Sequence, residues 1–114
     1  MSELVGIVRF KFHEGRVEEF KRLSARAMEI VRAQDTGTLQ YDTYFNADES
    51  EAIVIERFRD SQALIEHGEH VAALMEPIIA TASVSGELLG ELSPELRAKM
   101  TGDNPQLFRL HKAM

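Results

Sequence analysis

Two histidines, His67 and His70, stand three residues apart in the stretch ERFRDSQALIEHGEH, residues 56–70. An imidazole has an unperturbed pKa of about 6.5, so either ring can act as a general base near neutral pH. Residues i and i+3 are neighbours on a helix, and such a pair can also begin a metal site. Zinc, however, usually takes three protein ligands even where it is catalytic. No third ligand is evident, because Glu66 and Glu69 read as a solvated helix face. No metal is therefore expected. The bland reading of His67 is a half-exposed ring lying against a sheet. Glu56 shares a strand face with Val54 and Phe58, and if that face is buried an ionised carboxylate needs a partner. Arg9 and Arg57 are the candidates, and a structural ion pair or an exposed edge position is the expectation for Glu56. Tyr41, Phe10, Phe12, Phe45 and Phe58 read first as core, and as a pocket lining only if helices stand off the sheet. Asp60 reads as a helix cap, while His13 and His111 fall in a turn and in the tail and receive no role.

The elements that must position these residues follow from hydrophobic period. LVGIVRFKF, Leu4–Phe12, alternates with Leu4, Val8, Phe10 and Phe12 on one face and Val5, Ile7, Arg9 and Lys11 on the other. Val17, Phe20, Leu23, Ala27, Ile30 and Val31 recur at helical spacing, predicting an amphipathic helix to about Gln34. DTG ends it, with Gly37 suited to a left-handed cap. TLQYDTYF and EAIVIERF are strand-like runs joined by NADES, a polar linker of hairpin length. A second helix follows Asp60 or Ser61, carrying Leu64, Ile65, Val71, Leu74, Met75, Ile78 and Ile79, with Gly68 and Pro77 as possible bends. A last strand lies within residues 82–92, and a short helix over 94–100 opens the tail. The expected domain is 1–92. Residues 93–114 form a tail docked on that domain or on a partner subunit, since Leu96, Met100, Leu107, Phe108 and Leu110 are too many apolar side chains to leave in water.

The order β-α-β-β-α-β predicts an α+β, ferredoxin-like fold with a four-stranded antiparallel sheet and both helices on one face. Ala52-Ile53-Val54-Ile55 is apolar on both sides of its strand, and Val5 and Ile7 extend the second surface. A second copy is the economical cover for that surface, giving a dimeric α+β barrel. With 114 residues, a domain of this size buries only about two thirds of its unfolded surface, which also favours a partner. The formal net charge of −6 leaves no basic surplus for nucleic acid. No apolar run approaches the ~20 residues of a membrane span, and the opening residues lack a signal-peptide pattern, so a cytoplasmic protein is expected. There is no Cys, so any chemistry falls to His, carboxylates, Tyr or a bound cofactor.

FHEGRVEEFKRL, GTLQYDTY and IERFRDSQALIEH, in this order and spacing, resemble the antibiotic biosynthesis monooxygenase (ABM) superfamily of dimeric α+β barrels over residues 4–92. The matched positions are Gly37, Leu39, Tyr41, Glu56, Asp60, Ala63, Leu64 and His67. The resemblance implies cofactor-free oxygenation of quinol-like or polycyclic phenols in some members and haem degradation in others. Haem degraders use a Trp, which this chain lacks. The family's second His often follows the first by five residues, whereas His70 follows His67 by three. The expectation is a homodimeric, cofactor-independent monooxygenase or oxidase taking dioxygen and a small aromatic substrate, with His67 as catalytic base and Tyr41, Phe10, Phe12 and Phe45 binding the substrate. A non-catalytic dimeric module that binds a small ligand or regulates a partner is the alternative, and a proton-shuffling isomerase using the same His is a third.

Overall fold

The computed structural model describes residues 3–114. Its elements run β1 (Leu4–Phe12), α1 (Val17–Gln34), β2 (Thr38–Phe45), β3 (Glu51–Phe58), α2 (Ser61–Ile79), β4 (Ala82–Leu89), α3 (Pro94–Lys99) and β5 (Gln106–Phe108). The sheet order is β2-β3-β1-β4-β5. The first four strands pair antiparallel in ferredoxin-like order. The expected four strands become five, because β5 adds parallel to β4 at the sheet edge. Its three residues are too short to signal a strand by alternation; the exposed edge of β4 supplies the ladder that defines it.

Period-2 alternation decides which side chains meet the helices. Leu4, Phe10, Ala52, Val54, Phe58, Ala82 and Leu88 are buried against α1 and α2, which contribute Phe20, Leu23, Ala27, Leu74 and Ile78. Val5, Ile7, Ile53 and Ile55 occupy the opposite face, half-buried. Asp60 caps α2 by accepting from the Ala63 N–H at 2.9 Å. Gly37 does not take the left-handed conformation foreseen for it, since it is absent from the positive-φ glycines Gly15, Gly90 and Gly102. Its role is steric: a Cβ there would come within 2.5 Å of the Ala63 Cβ, so only glycine lets the α1–β2 turn approach the start of α2.

The part of the tail from Ser93 to Leu107 packs on the domain, whereas Phe108 and Leu110, expected to be covered, are 43% and 74% exposed in the single chain. Ser93 caps α3 by accepting from the Leu96 N–H at 3.1 Å, and its own N–H donates to Ser61 Oγ at 2.9 Å. Leu96 is 1% exposed in a cluster with Leu4, Ile65, Leu88 and Leu92, against which Met100 and Leu107 pack. Removing a buried leucine side chain costs about 2 to 5 kcal/mol, and in a domain of this size each kcal/mol moves Tm by about 4 to 8 °C. Leu96→Ala should therefore lower Tm clearly in a calorimetric melt, and an unchanged Tm would show that the cluster adds nothing. Among the described residues, no helix is long and apolar enough to cross a membrane.

Candidate active site

α1 ends at Asp35, whose extended backbone turns the chain toward β2. That turn carries the Asp35 side chain under α2, where it is 2% exposed. His67 and His70 project from one side of α2 as i, i+3 neighbours, and both reach it. His67 Nδ1 lies 2.8 Å from Asp35 Oδ2, His70 Nδ1 lies 2.6 Å from Oδ1, and Thr38 Oγ1 donates to Oδ2 at 2.7 Å. Burial would push the Asp35 carboxyl up, but the hydrogen bonds from His70, Thr38 and His67, with the charge of His67, hold it below its ordinary value. An ionised carboxylate only accepts, so each Nδ1 must carry the hydrogen. In the neutral rings the lone pair is then on Nε2. The arrangement fixes tautomer and orientation of both imidazoles at once.

The rings differ in what lies beyond them. His67 is 7% exposed and sits between Tyr41 and Phe58, with ring centroids at 5.3 and 5.2 Å. It lines a cavity of about 320 Å³ between the sheet and the helices, in the lower part of the range of small-ligand sites. His70, with its side chain 24% exposed, does not line the cavity. The walls are apolar: Val8, Phe10, Val54, Leu64, Val71, Met75, Ile78 and Leu88. Gly6, Gly68 and Gly86 leave room where other residues would put side chains, and a Cβ on Gly68 would meet nothing within 4 Å. Met100 and Pro105 from the tail close one side.

Two polar groups from the sheet face this space. Tyr41 on β2 and Glu56 on β3 are cross-strand partners, and both line the cavity. Burial above all, then the nearby charges of Glu56 and Asp35, push the Tyr41 phenol well above its usual value, so it stays a donor. Burial also pushes the Glu56 carboxyl up; His67 offsets part of this and Asp35 adds to it. The ion pair foreseen for Glu56 does not form. Arg9 pairs with Glu87 and Arg57 with Glu3, each at 3.2 Å. The reason is parity, since residues 9 and 57 point to the face of the sheet opposite Glu56.

Of the residues picked out from sequence, His67, Tyr41 and Phe10 meet at the cavity. Phe12 and Phe45 do not line it. They pack around Phe20, with centroids at 4.8 and 6.1 Å. Phe45 pairs with Ala52, four residues along β3 from Glu56 and thus about 13 Å away. Sequence reasoning missed Asp35, which looked like a helix terminator 32 residues before His67. It also passed over Met100 and Pro105. Glu56 did carry a signal, an acidic residue on the buried side of an apolar strand. Among the described residues, no group of three or more His, Asp or Glu side chains is arranged to hold a metal ion.

A family model described as antibiotic biosynthesis monooxygenase matches residues 4–75, well over half of the chain. The chain belongs to this family. The ABM match takes in Asp35, Tyr41, Glu56, His67 and His70, and ends before the tail. A search among curated proteins finds no match. Among solved structures, MupZ from Pseudomonas fluorescens is 25% identical with a TM-score of 0.78, covering 98% of this chain and 93% of that one, so the likeness runs through the tail as well. PA3566 from Pseudomonas aeruginosa is 27% identical with a TM-score of 0.68, over 82% of this chain and 97% of that one. SnoaB from Streptomyces nogalater, described as a cofactor-independent oxygenase, is 19% identical with a TM-score of 0.67, over 75% and 89% of the two chains. At that identity it bears on the fold alone.

Proposed function

We propose that this ABM-family protein is a cofactor-independent monooxygenase or oxidase acting on a small quinol or phenol, with His67 as the base. The observation that carries this reading is a single nitrogen: Asp35 occupies His67 Nδ1, which leaves Nε2 as the basic atom of a ring lining an apolar cavity. A phenol bound there loses its O–H proton to Nε2. The phenolate is electron-rich enough to reduce dioxygen directly, so the protein has only to remove the proton, hold the reactants and keep water out. Tyr41, kept protonated, donates a hydrogen bond to a substrate oxygen, and Phe10 supplies an apolar wall. The cavity volume favours one or two rings over an extended polycycle. Phe12 and Phe45 support this wall from behind through Phe20. Oxygen uptake with a panel of hydroquinones and small phenols tests the reading. Turnover by protein freed of metal and flavin is expected, and no uptake with any compound would leave a ligand-binding module instead.

The working unit in this reading is a homodimer. Val5, Ile7, Ile53 and Ile55 form an apolar surface on the sheet face away from the helices, half-buried in the single chain. On the same face lies a hollow of about 910 Å³ bordered by Leu89 and by Phe108 and Leu110 of the tail. It is larger than the histidine cavity but lies on the other side of the sheet and suits a second copy better than a substrate, because its walls are open strand and tail. Ile53→Lys with Ile55→Lys places two charges on this surface and should give a monomer or an insoluble chain. Wild-type protein found monomeric by light scattering at micromolar concentration would sink the dimer.

A further inference from the structure

Glu56 is the one titratable cavity group to which the proposed oxidation gives no task. The titratable groups lining the cavity are Tyr41 from β2, Glu56 from β3 and His67 from α2; β1, α1, β4 and the tail present none there. Glu56 rises from the sheet with Gly6 on one side and Tyr41 on the other. Gly6 has no side chain to cover it, and even an added Cβ would stay 3.6 Å from Glu56 Oε1. Burial and the charges of His67 and Asp35, not a hydrogen bond, act on the Glu56 carboxyl. His67 descends from α2 on the opposite side of the same space. A ligand lying between sheet and helix meets a carboxyl from below and an imidazole from above.

We propose that Glu56 and His67 act as an acid and base pair that interconverts the keto and enol forms of a small cyclic ketone held in this cavity. His67 Nε2 takes a proton from the carbon beside the carbonyl, and Glu56 gives its carboxyl proton to the carbonyl oxygen. The substrate C–H bond and the Glu56 O–H bond break, and an N–H bond on His67 and an O–H bond on the substrate form. The C–H electron pair becomes the new C=C bond, and the carbonyl π pair moves to the oxygen that takes the Glu56 proton. The reverse step restores both groups, with no change of oxidation state and no co-reactant. Burial first of all pushes the Glu56 carboxyl up, towards its protonated form, whereas hydrogen bonds hold Asp35 behind His67 below its ordinary value. Two carboxyls pushed in opposite directions within one site are how a protein divides acid and base roles. The enol so formed is the electron-rich species that the proposed oxygenation would consume. In that sense the inference rests on the oxygenase reading, although the proton transfer needs no dioxygen.

The test is hydrogen exchange under strict anaerobiosis. 2-Tetralone, a two-ring ketone with acidic C–H groups beside its carbonyl, is incubated with the protein in D₂O, and loss of the C1 proton signal is followed by NMR. The wild-type protein should accelerate exchange. Glu56→Gln keeps the shape but cannot give up a proton, and His67→Gln cannot accept one, so each should lose about 10²-fold or more of the acceleration. Glu56→Gln replaces a half-buried, cavity-facing acid with a neutral isostere and should fold at least as well, which a melting curve in the same buffer verifies. Exchange no faster than in buffer, or Glu56→Gln as fast as wild type, would overturn the proposal. Oxygen uptake with hydroquinones, measured on the same preparations in air, separates the two readings. Uptake without exchange removes only the enolisation, and exchange without uptake removes only the oxygenation.

Discussion

His67→Ala should lower oxygen-dependent turnover of a small hydroquinone by about 10²- to 10⁴-fold, the usual cost of losing a positioned general base. His70→Ala should keep most of the wild-type rate. Both rings hang from one carboxylate, yet only His67 lines the cavity, between Tyr41 and Phe58. The wheel angle separates them, since three residues along a helix rotate the side chain by roughly 60° from its starting direction. His67→Ala also enlarges the cavity, so a loss of rate with unchanged apparent affinity points to the missing base rather than to lost contacts. Oxygen-electrode rates across a substrate series supply both quantities. Equal activity in the two variants would take His67 out of the mechanism.

Asp35→Asn should be nearly as damaging, although residue 35 does not line the cavity. An amide offers one acceptor oxygen and one donor nitrogen, whereas the carboxylate accepts from both histidines and from Thr38. One ring must then lose its bond or turn over its tautomer, placing the hydrogen on Nε2. Where the affected ring is His67, the base is gone, and a loss of about 10²- to 10⁴-fold follows. Stability should fall too, because hydrogen bonds to a charged group contribute about 1.5 to 3 kcal/mol each and the Asp35 side chain is almost wholly buried. The pH dependence has a definite sign. The folded-state pKa of Asp35 is lowered, so its contribution is complete above the unfolded value near 3.8 and is lost as pH falls through the folded one. The gap between wild type and Asp35→Asn in urea denaturation should be wide at pH 7 and shrink once the pH drops below that unfolded value. A gap that stays constant into that range would mean that the carboxylate charge contributes nothing.

Both predictions depend on a residue that local pattern could not single out. The bounds of β1, α1, β2 and β3 were legible because alternation and 3.6-residue spacing are properties of a few adjacent residues. The cap on α2 was legible for the same reason, since Asp60 and the Ala63 N–H are three residues apart. Strand parity likewise put Glu56 with Val54 and Phe58, and the ABM motif drew attention to Tyr41 and His67. The same parity puts Arg9 and Arg57 on the face away from Glu56.

Other features exist only once the elements stand against one another. Asp35 meets His67 and His70 across 32 and 35 residues, and nothing in the short sequence around it distinguishes a clamp from a helix end. The backbone freedom of Gly37 is the property a sequence shows, but what matters in the fold is the distance to Ala63 across the α1–β2 turn. Phe12 and Phe45 have the same aromatic character as Phe10, but their register along the sheet sends them to Phe20 instead of the cavity. The fifth strand takes its partner from the edge of β4, and Met100 and Pro105 reach the cavity only because the cluster around Leu96 anchors the tail. The sequence by itself determined the longer elements and the faces they present, because those follow from local period and chirality. The tertiary structure decided the cavity, its acid and its clamp, because empty space and long-range hydrogen bonds depend on how far elements stand apart.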